Sequence, residues 1–275
     1  MSDNVPLLDL RKSTNHPLSL RYSEIFTHAL IEASFQDGRA QPSLCLAEKT
    51  PFVLAARAAV KEGIFKDSAL KVIYDILYEY YQMVRPGCAA DWLGIKGGIN
   101  PELQQAPAWG AVFPWRARTL ASYQNAYEKA ALEENKSVGR EVGIQDGWLF
   151  CGPVSNEKVV IESERILFVL RQIHTYGYKR SDTNDGDVKA TALVDEKQQW
   201  RWLITAGNHR AAAASALGYE NIPVRINLVI SRSDVMYWNH VVNGLFTPEQ
   251  ALTVFDNIFN ANPVAIVEQW HAKTK

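Results

Sequence analysis

The run Leu203-Ile204-Thr205-Ala206-Gly207-Asn208-His209-Arg210 places one glycine between an alternating apolar segment and the Ala-rich stretch 211–217. A strand that ends in a glycine turn directly before a helix leaves backbone N–H groups unbonded at the helix start, where the dipole favours an anion. Arg210 adds a planar fork of donors that matches phosphate oxygens, and His209 adds a further donor. Thr205, Gly207, Asn208, His209 and Arg210 are therefore the candidate phosphate-binding residues. A plainer reading is open as well, with Arg210 reaching solvent and His209 capping the turn.

These residues need a scaffold, and the patterning supplies one. From about Gly152 onward the texture is alternating strand and helix. Glu162 to Tyr176 reads as a helix with Ile166, Leu167, Leu170 and Ile173 inward, ended by Gly177. Ala190 to Val194 and Trp200 to Thr205 read as strands, the second alternating Trp200, Trp202 and Ile204 against Arg201, Leu203 and Thr205. His209 to Leu217 is a short helix closed by Gly218 in the left-handed conformation. Ile222 to Ile230 is a further strand, and Pro248 to Asn260 a last helix with proline in its first turn.

The preceding residues read differently. Between Pro17 and about Tyr81 the pattern is helical, with Tyr22, Ile25, Phe26, Ala29 and Leu30 at three- and four-residue steps and an Ala-rich stretch from Phe52 to Val60. Asp67 or Ser68 can cap a further helix whose Leu70, Ile73, Leu77 and Tyr81 share a face. From Pro86 to Gly147, Gly-Gly, Pro and aromatic punctuation surrounds one polar helix near Ser122 to Glu134. Trp92, Trp109, Trp115 and Trp148 there are expected to supply core, with base or sugar stacking as the alternative. The expected division is a mostly helical, Trp-rich region over residues 1–147 and an α/β (α+β) domain over 148–275.

Composition narrows the function. With 29 Lys and Arg against 30 Asp and Glu, the 275-residue chain carries a net charge of −1, so no overall basic field draws it to nucleic acid. Its three cysteines are far apart and odd in number, which fits neither a disulfide framework nor a CxxC metal site and points to the reducing cytoplasm. Asp3 and Asp9 break the pattern a secretory signal needs, and the longest apolar stretch, 51–60, is too short to span a bilayer, so no membrane insertion is expected.

The complete pattern of strand, Gly-x-His-Arg, Ala-rich helix, Leu-Gly and Ile-Pro-Val resembles the ParB/sulfiredoxin superfamily across roughly Gly152 to Ile230. That resemblance implies nucleotide phosphates at the turn. Sulfiredoxins have Cys where this chain has Asn208, which argues against sulfinic-acid reduction. Partition proteins resemble Gly-Glu-Arg-Arg and continue into DNA-reading helices, for which fewer than 50 residues remain after Ile226. The free serine kinases of the superfamily are similar in motif, with Asp-Gly-His-His-Arg at the turn and a His-Glu pair ahead of the first helix. Here Asn156-Glu157 stands at the pair and Ala206 at the turn Asp. The resemblance implies Glu157 as catalytic base, with His209 acting beside it, on ATP, ADP or CTP with magnesium.

The expected activity is a nucleotide-dependent kinase acting on a hydroxyl of a small-molecule or sugar-containing acceptor. The alternative is a CTP- or ATP-binding regulatory or ParB-like DNA-associated protein without turnover. Glu162 and Glu164 are weaker base candidates, since a helix start attracts acids for dipole reasons alone. Asp182, Asp185 and Asp187 could help hold magnesium or form a simple turn. Residues 1–147 would shape the acceptor pocket or mediate self-association as a homo-oligomer.

Overall fold

A computed structural model describes residues 6–136, 139–180 and 187–274. The chain forms two compact units, each from two separate stretches: Met1–Ile73 with Glu164–Ser233, and Tyr74–Ser163 with Asp234–Lys275. The division expected at 147/148 is thus replaced by an interleaved one, and the reason lies in strand pairing over long sequence separations.

Among the described residues of the first unit, seven strands form one mixed sheet in the order β1-β2-β7-β5-β6-β3-β4. They are β1 (Leu7–Asp9), β2 (His28–Ser34), β3 (Gly38–Ala40), β4 (Leu44–Cys45), β5 (Val188–Val194), β6 (Trp200–Ala206) and β7 (Asn221–Ser231). Parallel pairs (β1 with β2, β7 with β5, β6 with β3) alternate with antiparallel ones (β2 with β7, β5 with β6, β3 with β4). Residues near the N-terminus therefore complete a sheet whose centre is built from residues near 190 and 225.

This corrects the expectation of helix from Pro17 onward, whereas the helices expected after residue 50 form. Pro17–Tyr22 is a short 3-10 helix and His28–Ser34 a strand. In β2, Ala29, Leu30 and Ile31 are all buried because both sheet faces are covered there, so the strand shows no alternation, and an apolar run without alternation mimics helical spacing. Tyr22 and Ile25, assigned to the same apolar stripe, are 87% and 72% exposed. Double coverage also flattens the alternation expected in β6, where consecutive Trp202, Leu203 and Ile204 are all buried.

Helix α1 (Pro51–Glu62) starts on a Thr50 cap that accepts the Val53 amide, with proline at its first turn. Helix α2 spans Ser68–Met83, α3 Ala89–Leu93, α4 Pro101–Gln105, α5 Leu120–Lys136 and α6 Asn156–Tyr176. Helix α7 (Asn208–Ala216) packs on α1, and Ala55, Ala56 and Ala59 of α1 and Ala211 to Ala214 of α7 are all buried. Small side chains let helices approach closely, and Ser215 Oγ donates to the Leu46 carbonyl at 3.1 Å, tying α7 to the segment that precedes α1.

The second unit adds α8 (Asn239–Val242), α9 (Pro248–Phe259) and α10 (Ala265–Lys273) to the helical segments between residues 74 and 163. Its core is aromatic: Trp92, Trp115, Trp148, Trp238 and Trp270 are buried, with edge-to-face contacts such as Tyr80 to Trp270 at 4.7 Å and Trp92 to Trp148 at 5.4 Å. Three of the four Trp residues weighed above for stacking are thus core, and Trp109 is partly exposed. Helix α9 begins with a reciprocal Thr247–Gln250 capping box. Among the described residues no helix is long and apolar enough to cross a membrane.

Candidate functional site

Gly207 is the pivot of the first unit's β6-to-α7 connection. Its φ is +86°, in the left-handed region, and a Cβ there would lie 3.1 Å from Val188 Cγ2 and 3.2 Å from Val188 Cα. Both the backbone angle and the closeness of β5 require glycine. As the N-cap residue, Gly207 offers α7 no side-chain cap hydrogen bond. At the other end Gly218, φ +87°, closes α7, with its amide on the Ser215 carbonyl and that of Tyr219 on Ala214.

The five predicted phosphate-binding residues meet at this corner. Thr205 is exposed near the end of β6, and Asn208, His209 and Arg210 are partly exposed on the first turn of α7. The His209 ring stacks on Phe52 of α1 at 5.1 Å and 24°, so its plane is held by packing. Arg210 is different: its Nη1 is shielded from solvent and has no hydrogen-bond partner. Leaving such a donor unsatisfied costs about 1–3 kcal/mol, more for a charged group, which an anion would recover.

Arg210 lines an open groove of about 380 Å³ with Phe168, Gln172, Tyr176, Tyr178 and Lys179 among its walls. Burial pushes the Tyr178 phenol up to about 12, against the pull of Arg210 and with Asp187 and Glu32 adding to the rise. The groove therefore mixes aromatic surface with two cations. A larger cleft in the same unit, about 620 Å³, has Arg57 as its one cation beside Glu48 and Glu220, and Arg57 donates to the Ala47 carbonyl. Its charge balance does not suit a phosphate.

Asp187 is engaged by two arginines through one oxygen, while its buried Oδ1 has no hydrogen-bond partner among the described residues. Its Oδ2 accepts Arg225 Nε and Nη2 at 3.0 and 2.8 Å and Arg180 Nη2 at 3.3 Å, and its side chain is 1% exposed. Asp182 and Asp185 lie outside the described residues. Among the described residues no group of three His, Cys, Asp or Glu side chains is arranged to hold a metal ion.

Glu157 belongs to the second unit, whereas the turn belongs to the first. It lies in the first turn of α6, where Ser155 Oγ accepts the Lys158 amide at 3.2 Å, and its carboxylate is 3.8 Å from Arg140 Nη1 and 55% exposed. The sequence pattern started α6 six residues late because it overlooked the Ser155 cap. Glu162 is corrected as a base candidate: fully buried, it is bound to Lys158 Nζ at 3.0 Å one helical turn away. Glu164 is exposed and lies in the first unit.

The histidines given no catalytic part keep structural surroundings. His240 is 1% exposed, with its ring nitrogens 2.9 Å from the Arg118 carbonyl and 3.1 Å from Asn243 Nδ2. His174, in the last turn of α6, meets Phe65 edge-on at 5.6 Å.

Sequence reasoning missed the groove walls. The signal was the dense run Tyr176-Gly177-Tyr178-Lys179-Arg180, two aromatics and two cations around a helix-ending glycine. It also missed Glu32 on β2, whose carboxyl burial holds above the ordinary carboxylate range while Arg11 pulls it down. Compared with known protein families, curated proteins and solved structures, the chain matches none.

Proposed function

We propose that the protein is a nucleotide-dependent phosphotransferase of ParB/sulfiredoxin type, holding the phosphates of ATP, ADP or CTP at the start of α7. The acceptor is a hydroxyl of a small-molecule or sugar-containing compound. The observation that carries the reading is Arg210 in the first turn of α7, whose shielded Nη1 lacks an acceptor among the described residues. An anion supplies that acceptor at the helix end its charge favours.

In this reading Arg210 and the α7 amides hold the transferred group and offset the charge on its equatorial oxygens. His209, kept in plane by Phe52, donates to an adjoining phosphate oxygen. A carboxylate takes the acceptor's hydroxyl proton as the new O–P bond forms and the bond to the nucleotide's bridging oxygen breaks, and Glu157 is the residue to test for that part. The products are a phosphorylated acceptor and a nucleotide one phosphate shorter. With no protein cluster for a metal among the described residues, magnesium is assigned to the nucleotide's own oxygens.

A thermal-shift screen of ATP, ADP and CTP with magnesium, followed by phosphate-transfer assays on pooled hydroxyl metabolites, tests this directly. At one hundred times the dissociation constant, binding adds about 2.7 kcal/mol of stability. Glu157→Gln should retain nucleotide affinity while kcat falls by roughly two to four orders of magnitude. Near-normal turnover removes Glu157 and makes Glu32 the next carboxylate to test.

One feature favours a second reading, a nucleotide-responsive regulator with little turnover. Ala206 gives the turn no carboxylate, and Asp187 is bound by two arginines. Nucleotide binding without transfer to any acceptor would select it.

A further inference from the structure

The groove beside Arg210 has more surface than phosphate binding uses. Phe168 and Tyr176 both line it from α6, eight residues apart, and are 64% and 61% exposed. Gln172 lies between them on the same face and also lines the groove. At about 1.5 Å per residue the two rings are roughly 12 Å apart along the helix, so they cannot grip the two faces of a single small ring system. They must serve different parts of one elongated ligand.

The two rings also differ in what already engages them. Lys179 Nζ lies 5.7 Å from the centroid of the Tyr176 ring, a cation–π contact that sets an ammonium at this end of the groove. The Phe168 ring has no such partner. The groove therefore grades from a bare aromatic face at Phe168 to cations at Lys179 and Arg210. A nucleoside phosphate has the same grading, with a flat apolar base at one end and negative oxygens at the other.

Resting on the phosphate reading above, the geometry points to an adenine nucleotide subsite in which the base stacks on Phe168. The Gln172 amide, one helical turn on, takes the base edge, pairing in bidentate fashion with adenine N6 and N7 or with cytosine N4 and N3. Tyr176 and Lys179 flank the ribose and the first phosphates, and Arg210 holds the terminal, transferred one. Stacking on an aromatic ring contributes to any base and more to the larger purine, so Phe168 supplies both affinity and the preference for ATP over CTP.

Calorimetry with ATP, CTP and inorganic tripolyphosphate separates this subsite from the phosphate site it adjoins. Tripolyphosphate carries the anion without a base. The wild type should bind ATP more tightly than CTP and both more tightly than tripolyphosphate. Phe168→Ala should weaken ATP about tenfold and leave tripolyphosphate unchanged, while Phe168→Tyr keeps the affinity. Gln172→Ala should weaken ATP and CTP alike and leave tripolyphosphate unchanged, and Arg210→Ala should weaken all three ligands.

Because Phe168 is exposed, its loss does not open the core, and an unchanged melting curve without ligand confirms this. Intact ATP affinity in Phe168→Ala, or CTP bound as well as ATP by the wild type, overturns the subsite and leaves the phosphate reading standing. A change in sedimentation on Phe168→Ala with ATP affinity intact makes this face a contact between copies instead. Binding of neither ATP nor tripolyphosphate by the wild type overturns both readings.

Discussion

Arg225 and Arg210 belong to the same unit and have opposite surroundings. The Arg225 guanidinium closes on Asp187 with two hydrogen bonds, in a knot that Arg180 joins at 3.3 Å. Arg210 lines an open groove and keeps a shielded nitrogen with no acceptor. A protein tolerates a buried cation when a carboxylate accompanies it, as at Arg225. Arg210 has no such carboxylate among the described residues, and in the proposed reading its charge faces an anion. The first arrangement is structure, and the second is a site.

The largest expected effect falls on the knot. Asp187→Ala leaves Arg225 and Arg180 facing one another without their shared acceptor, and breaking a buried pair in this way costs about 3–5 kcal/mol. Urea unfolding monitored by tryptophan fluorescence measures it. A loss under about 1 kcal/mol would mean that water reaches the arginines, and the contrast with Arg210 would collapse. Arg225→Ala leaves Asp187 short of its main partner, so any loss of ligand binding in that variant must be read against its lost stability.

Arg210→Ala should do the reverse. With no bond to break, stability should stay within about 0.5 kcal/mol, while nucleotide affinity falls by roughly 1.5–3 kcal/mol, the range for hydrogen bonds to charged groups. Titration calorimetry and melting on one preparation give both numbers. A variant that loses stability and keeps affinity would make Arg210 a second structural cation.

The contrast also shows what the sequence could convey. Local signals were legible: the Gly207 turn, the Ala-rich α7 and its Gly218 end, strands β5 to β7 and the capped α9 all follow from spacing within a few residues of one another. Asp187 and Arg225 are 38 residues apart, and only the parallel pairing of β5 with β7, which sets Lys189 opposite Arg225, brings them together. Likewise β2 carries no local mark of a strand, because its pairing with β7 and the cover on both faces decide its conformation. The groove was half legible. Arg210 stood out by motif, but Phe168 looks like any exposed helix residue until α6 and α7 are placed side by side in the first unit.

Between these two arginines in expected size is the turn itself. Gly207→Ala places a Cβ at φ +86° and within 3.2 Å of the Val188 backbone. The left-handed conformation alone costs an L-residue about 1–2 kcal/mol, and β5 cannot yield without disturbing its pairing on both sides. Melting should show that loss, and nucleotide affinity should fall with it because the α7 amides are displaced. A stable variant with weakened binding would show that the helix start adjusts its backbone freely, and that the amides matter more than the frame holding them.

The smallest effect tests whether burial is what separates the two kinds of ion pair. Arg11 Nη2 lies 2.7 Å from Asp9 Oδ2, and the side chains are 35% and 48% exposed. The side-chain hydrogen bond from Arg11, with further help from its charge and amide, lowers the Asp9 carboxyl from 3.8 to about 2 in the face of some desolvation. A carboxyl whose folded value is depressed stabilises the fold above its unfolded value and loses that contribution as the pH falls. Here the contribution is complete above about pH 4 and disappears as the pH drops through about 2. Solvent screens an exposed pair, so Asp9→Asn should cost no more than about 1 kcal/mol at pH 7. The gap between this variant and the wild type in urea should shrink in high salt and close between pH 4 and pH 2. The Asp187→Ala gap should persist at the same salt. If Asp9→Asn proved as costly as Asp187→Ala and as indifferent to salt, exposure would not be the variable that divides the arginines. The unpaired nitrogen of Arg210 would then lose its meaning as the mark of a binding site.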